Sequence, residues 1–194
     1  MSSPSRQWLG DTETKPAPEP LIRVQALVNT IELPEGRDRL ADPEDARAWL
    51  ISAGLLDEKA DLRPGDLDVV RGVREALRAM LVHNAGGPAP TDAALAPLRT
   101  ITVDGTARAD FGDNGQIVLS ADGDSVSARM IELLLIIRDA QRDGTWARLK
   151  ACGNDECHWA FYDRSRNHGG TWCDMSSCGN KLKNREFRAR KRAT

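Results

Sequence analysis

Four cysteines constrain this chain more than any other feature. They are Cys152, Cys157, Cys173 and Cys178, and the first 151 residues contain none. Cysteines used only for packing would scatter through a core, so four gathered within 27 positions call for one joint explanation. Their spacing is Cys-x4-Cys-x15-Cys-x4-Cys. Two close pairs separated by a loop can bring four thiolates tetrahedrally around one ion. Zinc suits such a set because it takes soft sulfur ligands and imposes no d-electron geometry. Four protein ligands would leave no open position, so the expected site is structural rather than hydrolytic. Two disulfides and an iron–sulfur cluster are the other uses of four cysteines. His158 and His168 lie nearby as substitutes, but four sulfurs already complete a shell, so both are read as surface or outer residues.

Charge divides the chain at about the same place. The net charge of −2 conceals an acidic body and a basic end. From Trp146 to Thr194 there are eleven Lys/Arg against five Asp/Glu; before it there are sixteen against twenty-four. Six of the nine aromatic residues, Trp146, Trp159, Phe161, Tyr162, Trp172 and Phe187, also fall in this last quarter. A module of under fifty residues cannot bury enough surface unaided, and a metal with a few large rings supplies the missing stabilisation. Core packing is the preferred role for those rings. Beyond Cys178, residues 179–192 hold seven basic side chains and one acidic one. On a helix, Lys181, Arg185, Arg188 and Arg192 would share a face, a stripe suited to a phosphate backbone.

The remainder reads as mostly helical. Residues 1–20 are polar and proline-rich and read as a disordered leader. A helix is expected over 21–33. A second begins at Asp42-Pro43, with Asp as cap and Pro at the first helical position, and stops at Gly54. A third runs from Pro64 or Asp66 to His83, with apolar residues at three- and four-residue spacing. A fourth covers Ala93–Leu98. Short β-like segments follow at Ile101–Val103, Ala107–Phe111 and Gln116–Ser120. Gly112-Asp113-Asn114-Gly115 marks a hairpin between the last two. A long helix over about 124–143 closes at Gly144. The expected fold is mainly α with a small β-hairpin (α+β): a helical domain at 21–145, then a four-cysteine module at 146–194 ending in a basic helix.

The longest aliphatic run, Leu133–Ile137, is far short of the roughly 20 residues that span a bilayer, and the first twenty residues lack an apolar signal core. A cytoplasmic protein with no membrane association is the expectation. There is no glycine-rich phosphate loop, nucleophile elbow or His-Glu-x-x-His pattern, so no enzyme is expected.

The stretch from Arg148 to Asn180 resembles the CGNR zinc finger. The resemblance rests on the cysteine spacing, the run Phe161-Tyr162-Asp163-Arg164-Ser165-Arg166-Asn167, and Trp172-Cys173-Asp174-Met175 before Cys178-Gly179-Asn180. Leu27-Val28-Asn29-Thr30, the helix from Asp42-Pro43 to Trp49-Leu50, and Gly54-Leu55 are similar to the ABATE domain that usually precedes this finger. The resemblance implies a bacterial transcriptional regulator, with zinc on Cys152, Cys157, Cys173 and Cys178 and the finger as its DNA-binding part. Two positions depart from the family pattern. Lys181 replaces the arginine after Gly-Asn, keeping the charge but losing the planar fork. The loop His168-Gly169-Gly170-Thr171 lacks the arginines often found there.

The reading is therefore a zinc-containing, DNA-binding regulator whose N-terminal domain senses a small molecule or contacts a protein; a homodimer would suit two half-sites. DNA contacts are assigned to Lys181, Lys183, Arg185, Arg188, Arg190 and Arg192, with Arg164 and Arg166 as outer candidates. The alternative is a zinc-stabilised protein-interaction module without direct DNA binding, docking a partner through Trp159, Phe161 or Trp172.

Overall fold

A computed structural model describes residues 8, 13–34, 36–63, 65–181 and 191. Five helices frame the described chain: α1 (Ile22–Val28), α2 (Pro43–Ser52), α3 (Asp66–Asn84), α4 (Asp92–Asp104) and α5 (Val126–Asp143). Three antiparallel strand pairs complete it: β1 (Ile31–Glu32) with β2 (Arg37–Asp38), β3 (Ala107–Phe111) with β4 (Ile117–Ala121), and β5 (Leu149–Ala151) with β6 (Ala160–Tyr162). The expected α+β class is the observed one. Of the basic helix expected within 179–192, residues 182–190 and 192 lie outside the described residues.

Local chemistry explains the helix ends. Asp42 caps α2 by accepting from the N–H groups of Glu44 and Asp45, with Pro43 in the first turn. Thr91 and Ser125 cap α4 and α5 in the same way. Gly144 ends α5 at φ 83°, a left-handed conformation that glycine adopts without steric cost.

Helix α3 is the hub. It packs against α1, α4, α5 and β5. Leu67, Val70, Val73, Leu77 and Leu81 form its buried stripe, and each contributes roughly 1.5–3 kcal/mol of burial free energy. The core does not stop at the boundary inferred near residue 145. Trp146, Leu149, Ala151, Ala160 and Tyr162 belong to the same buried cluster as Val24, Leu50, Leu77 and Met130.

Three segments differ from expectation. Helix α1 ends at Val28 rather than 33, because Asn29 turns its side chain to β6 and Thr30 bonds back to the Leu27 carbonyl. The chain then forms the β1–β2 pair instead. Ile101–Val103 is the last part of α4, not a strand. Ile101 is buried, and Thr100 and Thr102 satisfy their hydroxyls on the carbonyls of Ala96 and Arg99 within the helix. Tertiary packing there overrides the strand preference of β-branched residues. Finally, residues 13–20 are held rather than loose. Ala17 is buried, its N–H donates to Gln25, and the Lys15 carbonyl accepts from the Tyr162 N–H.

Candidate metal centre

The metal centre is built on the β5–β6 hairpin. Cys152 follows β5 directly, and its N–H donates to the Trp159 carbonyl, closing the loop that carries Cys157. Asn154 shapes that loop: its carbonyl accepts from the N–H groups of Cys157 and His158, and its side-chain oxygen accepts from Glu156. The second pair sits on a short π-type turn, Met175–Gly179. Asp174 opens this turn by accepting from the Ser176 hydroxyl and from the N–H groups of Ser176 and Ser177. These bonds, led by the Ser176 hydroxyl, hold the Asp174 carboxyl down at about 2.

The four sulfurs lie within 4.8 Å of one another. Cys157 Sγ is 3.8 Å from Cys173 Sγ, which is 3.8 Å from Cys178 Sγ. A tetrahedron with metal–sulfur bonds of ~2.3 Å has edges of about 3.8 Å; two of the six sulfur–sulfur edges have that length and the rest are no longer than 4.8 Å, so the donor set suits a tetrathiolate ion. Cys152 and Cys178 are buried. Asn154 Nδ2 points at Cys178 Sγ from 3.6 Å, the outer-shell hydrogen bond such sites use to orient a ligand. Neither His158 nor His168 joins the cluster.

Hydrogen bonds among Cys152, Cys157 and Cys173 split the acidities of these three thiols. Cys152 is pulled far below the ordinary thiol range, chiefly by accepting from the Cys157 and Cys173 thiols. Cys157 and Cys173 are pushed up, first by that same interaction with Cys152. Four sulfurs this close ionise together only around a cation, and a divalent ion supplies the charge they need.

Beneath the centre is a buried ion pair that sequence reading did not single out. Lys150 Nζ is 2.9 Å from Asp163 Oδ2, with their side chains 7% and 3% exposed. Asp163 also accepts from the N–H groups of Ser165 (3.0 Å) and Gly170 (2.8 Å), and Lys150 donates to the carbonyls of His168 and Gly170. This pair folds the loop from Asp163 to Gly170 that leads to Cys173. Burial on its own would raise the Asp163 carboxyl. The Ser165 hydroxyl, the Lys150 ammonium and the two N–H groups outweigh it and hold the carboxyl well below the usual range. Gly170 is needed for close approach: a Cβ there would fall 2.6 Å from the Asp163 carboxyl carbon.

Polar side chains fasten the centre to the helices. Asn29 acts as a strand partner for Ala160, donating to its carbonyl (2.9 Å) and accepting from its N–H (2.7 Å). Gln25 donates to the same carbonyl. Arg78, buried on α3, donates to the carbonyls of Val28 (2.7 Å) and His158 (3.0 Å). Trp159 Nε1 donates to Glu13, which also accepts from Asn29. The only sequence signal for Arg78 was its place beside the apolar stripe of α3, where charge is unusual.

Residues 148–191 match the family model of the CGNR zinc finger. Residues 23–142 match that of ABATE, described as "Putative stress-induced transcription regulator", and this second match spans more than half of the chain. The chain belongs to the ABATE family. A search of curated proteins found no match. In this ABATE protein the two matched segments meet at 143–147, where α5 gives way to the turn Trp146–Arg148; a shared core crosses the junction.

The assigned DNA-contact residues divide into two sets. Lys183, Arg185, Arg188, Arg190 and Arg192 lie outside the described residues. Lys181 is exposed and its ammonium is 2.9 Å from Glu156. Arg164 is exposed and donates to the Pro16 carbonyl at 3.0 Å; Arg166 is exposed. A cavity of about 550 Å³ beside the cysteines is lined by Glu13, Glu32, Glu156 and Asp174 as well as Lys181, an acidic setting unsuited to phosphate. No helix among the described residues is long and apolar enough to cross a membrane.

Proposed function

We propose that this ABATE protein is a zinc-containing transcription regulator of the bacterial cytoplasm that binds DNA through its C-terminal module. Its α-helical body would sense a ligand or contact a protein. The observation that carries this reading is the junction at Cys178. Four clustered cysteine sulfurs, within 4.8 Å of one another, sit directly before a fourteen-residue run with seven basic side chains and one acidic one. Zinc on Cys152, Cys157, Cys173 and Cys178 would fix the base of that run, so the cations are presented from a folded platform. Four sulfur ligands saturate the ion, which favours a structural role over catalysis.

The protein-interaction alternative has less support. Trp159 and Phe161 are buried, and Trp159 Nε1 is occupied by Glu13, so two of its three docking rings face inward.

A fluorescence titration of zinc-loaded protein against mixed-sequence duplex DNA, repeated across salt concentrations, tests the proposal. Four to six phosphate contacts give a slope of log K on log salt of about −3.6 to −5.4. Arg185→Glu with Arg188→Glu should weaken binding to every duplex and flatten that slope. Absence of binding at low salt would overturn the DNA reading; unchanged binding in the double variant would remove the assigned surface.

A further inference from the structure

The β3–β4 hairpin is the most exposed ordered element of the described chain. All five residues of β3 are exposed, and Phe111, Ile117 and Val118 are 76%, 69% and 50% exposed. The register pairs Ala107 with Ala121 and Phe111 with Ile117. One face therefore carries Ala107, Ala109, Phe111, Ile117, Leu119 and Ala121, and the other carries Arg108, Asp110, Val118 and Ser120. The hairpin packs on the body chiefly through β4, against α5. The first of these faces is covered in part at Leu119 and Ala121 and open at Phe111 and Ile117; a two-stranded hairpin is marginal in water on its own, and a bare edge strand is a template for pairing.

The hydrogen-bond parity shows which groups are presented. Gly112 N–H donates to the Gln116 carbonyl and Asp122 N–H to the Thr106 carbonyl, at the two ends of the ladder. Alternation then turns even-numbered residues of β3 toward β4 and directs the N–H and C=O groups of Ala107, Ala109 and Phe111 outward. Among the described residues, no backbone group pairs with that edge. The Phe111 N–H is held by the adjacent Asp110 side chain at 2.8 Å.

The sequence of β3, Ala-Arg-Ala-Asp-Phe, is self-complementary about Ala109. An antiparallel pairing of two copies with the two-fold axis at Ala109 places Ala109 opposite Ala109, Ala107 opposite Phe111, and Arg108 opposite Asp110. The axis passes through an outward-pointing residue, so the pairing closes six backbone hydrogen bonds, two of which replace the Asp110 bond to the Phe111 N–H of each copy. Both Arg108–Asp110 pairs then fall at the closer, non-hydrogen-bonded positions, where cross-strand charges interact best. Shifting the axis off Ala109 loses both ion pairs. The present partner of Arg108 is Asp122 at 3.9 Å, with both side chains well exposed, a contact of little energy.

We infer that β3 is a homodimerisation edge, occupied by β3 of a second copy to give a four-stranded antiparallel sheet in the order β4-β3-β3-β4. The interface is isologous, as a two-fold dimer requires. Phe111 of each copy comes to lie beside Ala107 of the other, at the end of the strand that follows exposed Val103 of α4. The inference is independent of DNA binding.

Sedimentation of the full zinc-loaded chain over a wide concentration range tests it. The wild type is expected to pass from monomer to dimer. Arg108→Asp sets Asp against Asp, and Asp110→Arg sets Arg against Arg, so each variant alone should dimerise at least about tenfold more weakly. Mixing the two variants should restore association as a heterodimer, since every cross-strand pair is then of opposite sign. Circular dichroism checks that both variants remain folded, as is expected of exposed sites. A wild type that stays monomeric at all concentrations, singles that dimerise like wild type, or a mixture that fails to recover would each overturn the assignment.

Discussion

Asp163→Asn isolates the group that shapes the loop between the two cysteine pairs. The carboxylate meets Lys150 at 2.9 Å and the N–H groups of Ser165 and Gly170 at 3.0 and 2.8 Å, in a site where it is 3% exposed. The amide has one oxygen, so one orientation or the other aims its NH2 at a donor. The change also leaves the Lys150 ammonium buried without its counter-charge. Removing one partner of a buried pair costs about 3–5 kcal/mol. Lys150 keeps the carbonyls of His168 and Gly170, so the lower end, about 3 kcal/mol, is expected. For a chain of this length that lowers the melting temperature by about 6–12 °C. Circular dichroism melts in excess zinc measure it, with Lys150→Met and the double variant completing a cycle. Because the folded Asp163 is depressed, its contribution is complete above the unfolded carboxylate value of ~3.9 and is lost as pH falls through its lower folded value. The gap between wild type and variant should be constant at neutral pH and close below about pH 4. A loss under about 1 kcal/mol, or no coupling in the cycle, would refute the role given to this pair.

Three further outcomes follow from the contacts between body and centre. Arg78→Met strands the carbonyls of Val28 and His158 and should cost about 3 kcal/mol in denaturant titrations. Asn29→Asp replaces the amide donor facing the Ala160 carbonyl and the Glu13 carboxylate with a third acceptor; a loss of about 2–4 kcal/mol is expected at neutral pH. Chelation should abolish hydrogen-exchange protection of the Cys157, His158 and Gly179 amides, whose bonds lie in the cysteine loops, while amides in the middle of α3 stay protected.

The readings that transferred from sequence to structure were those with a local physical cause. The Asp42-Pro43 cap, the apolar stripe of α3, the Gly112–Gly115 turn and the Gly144 stop all depend on a few adjacent residues. The cysteine spacing was legible for a related reason: sulfur chemistry admits few uses for four clustered thiols. What the sequence concealed was tertiary. Ile101–Val103 has strand-forming residues, yet burial of Ile101 keeps it helical. Asn29 and Gln25 look like ordinary polar positions on a short helix, and only the fold reveals them as partners of Ala160. Lys150 and Asp163 are thirteen residues apart with nothing in their spacing to join them. Separation into a body and a module was drawn from charge, which describes the surface; the apolar core runs beneath both.

The coordination of the ion is the point on which the account turns. X-ray absorption at the zinc edge of the reduced, purified protein should show a single shell of four sulfurs at ~2.3 Å, with one zinc per chain. A first shell containing nitrogen or oxygen, or protein that folds fully with no metal bound, would contradict it.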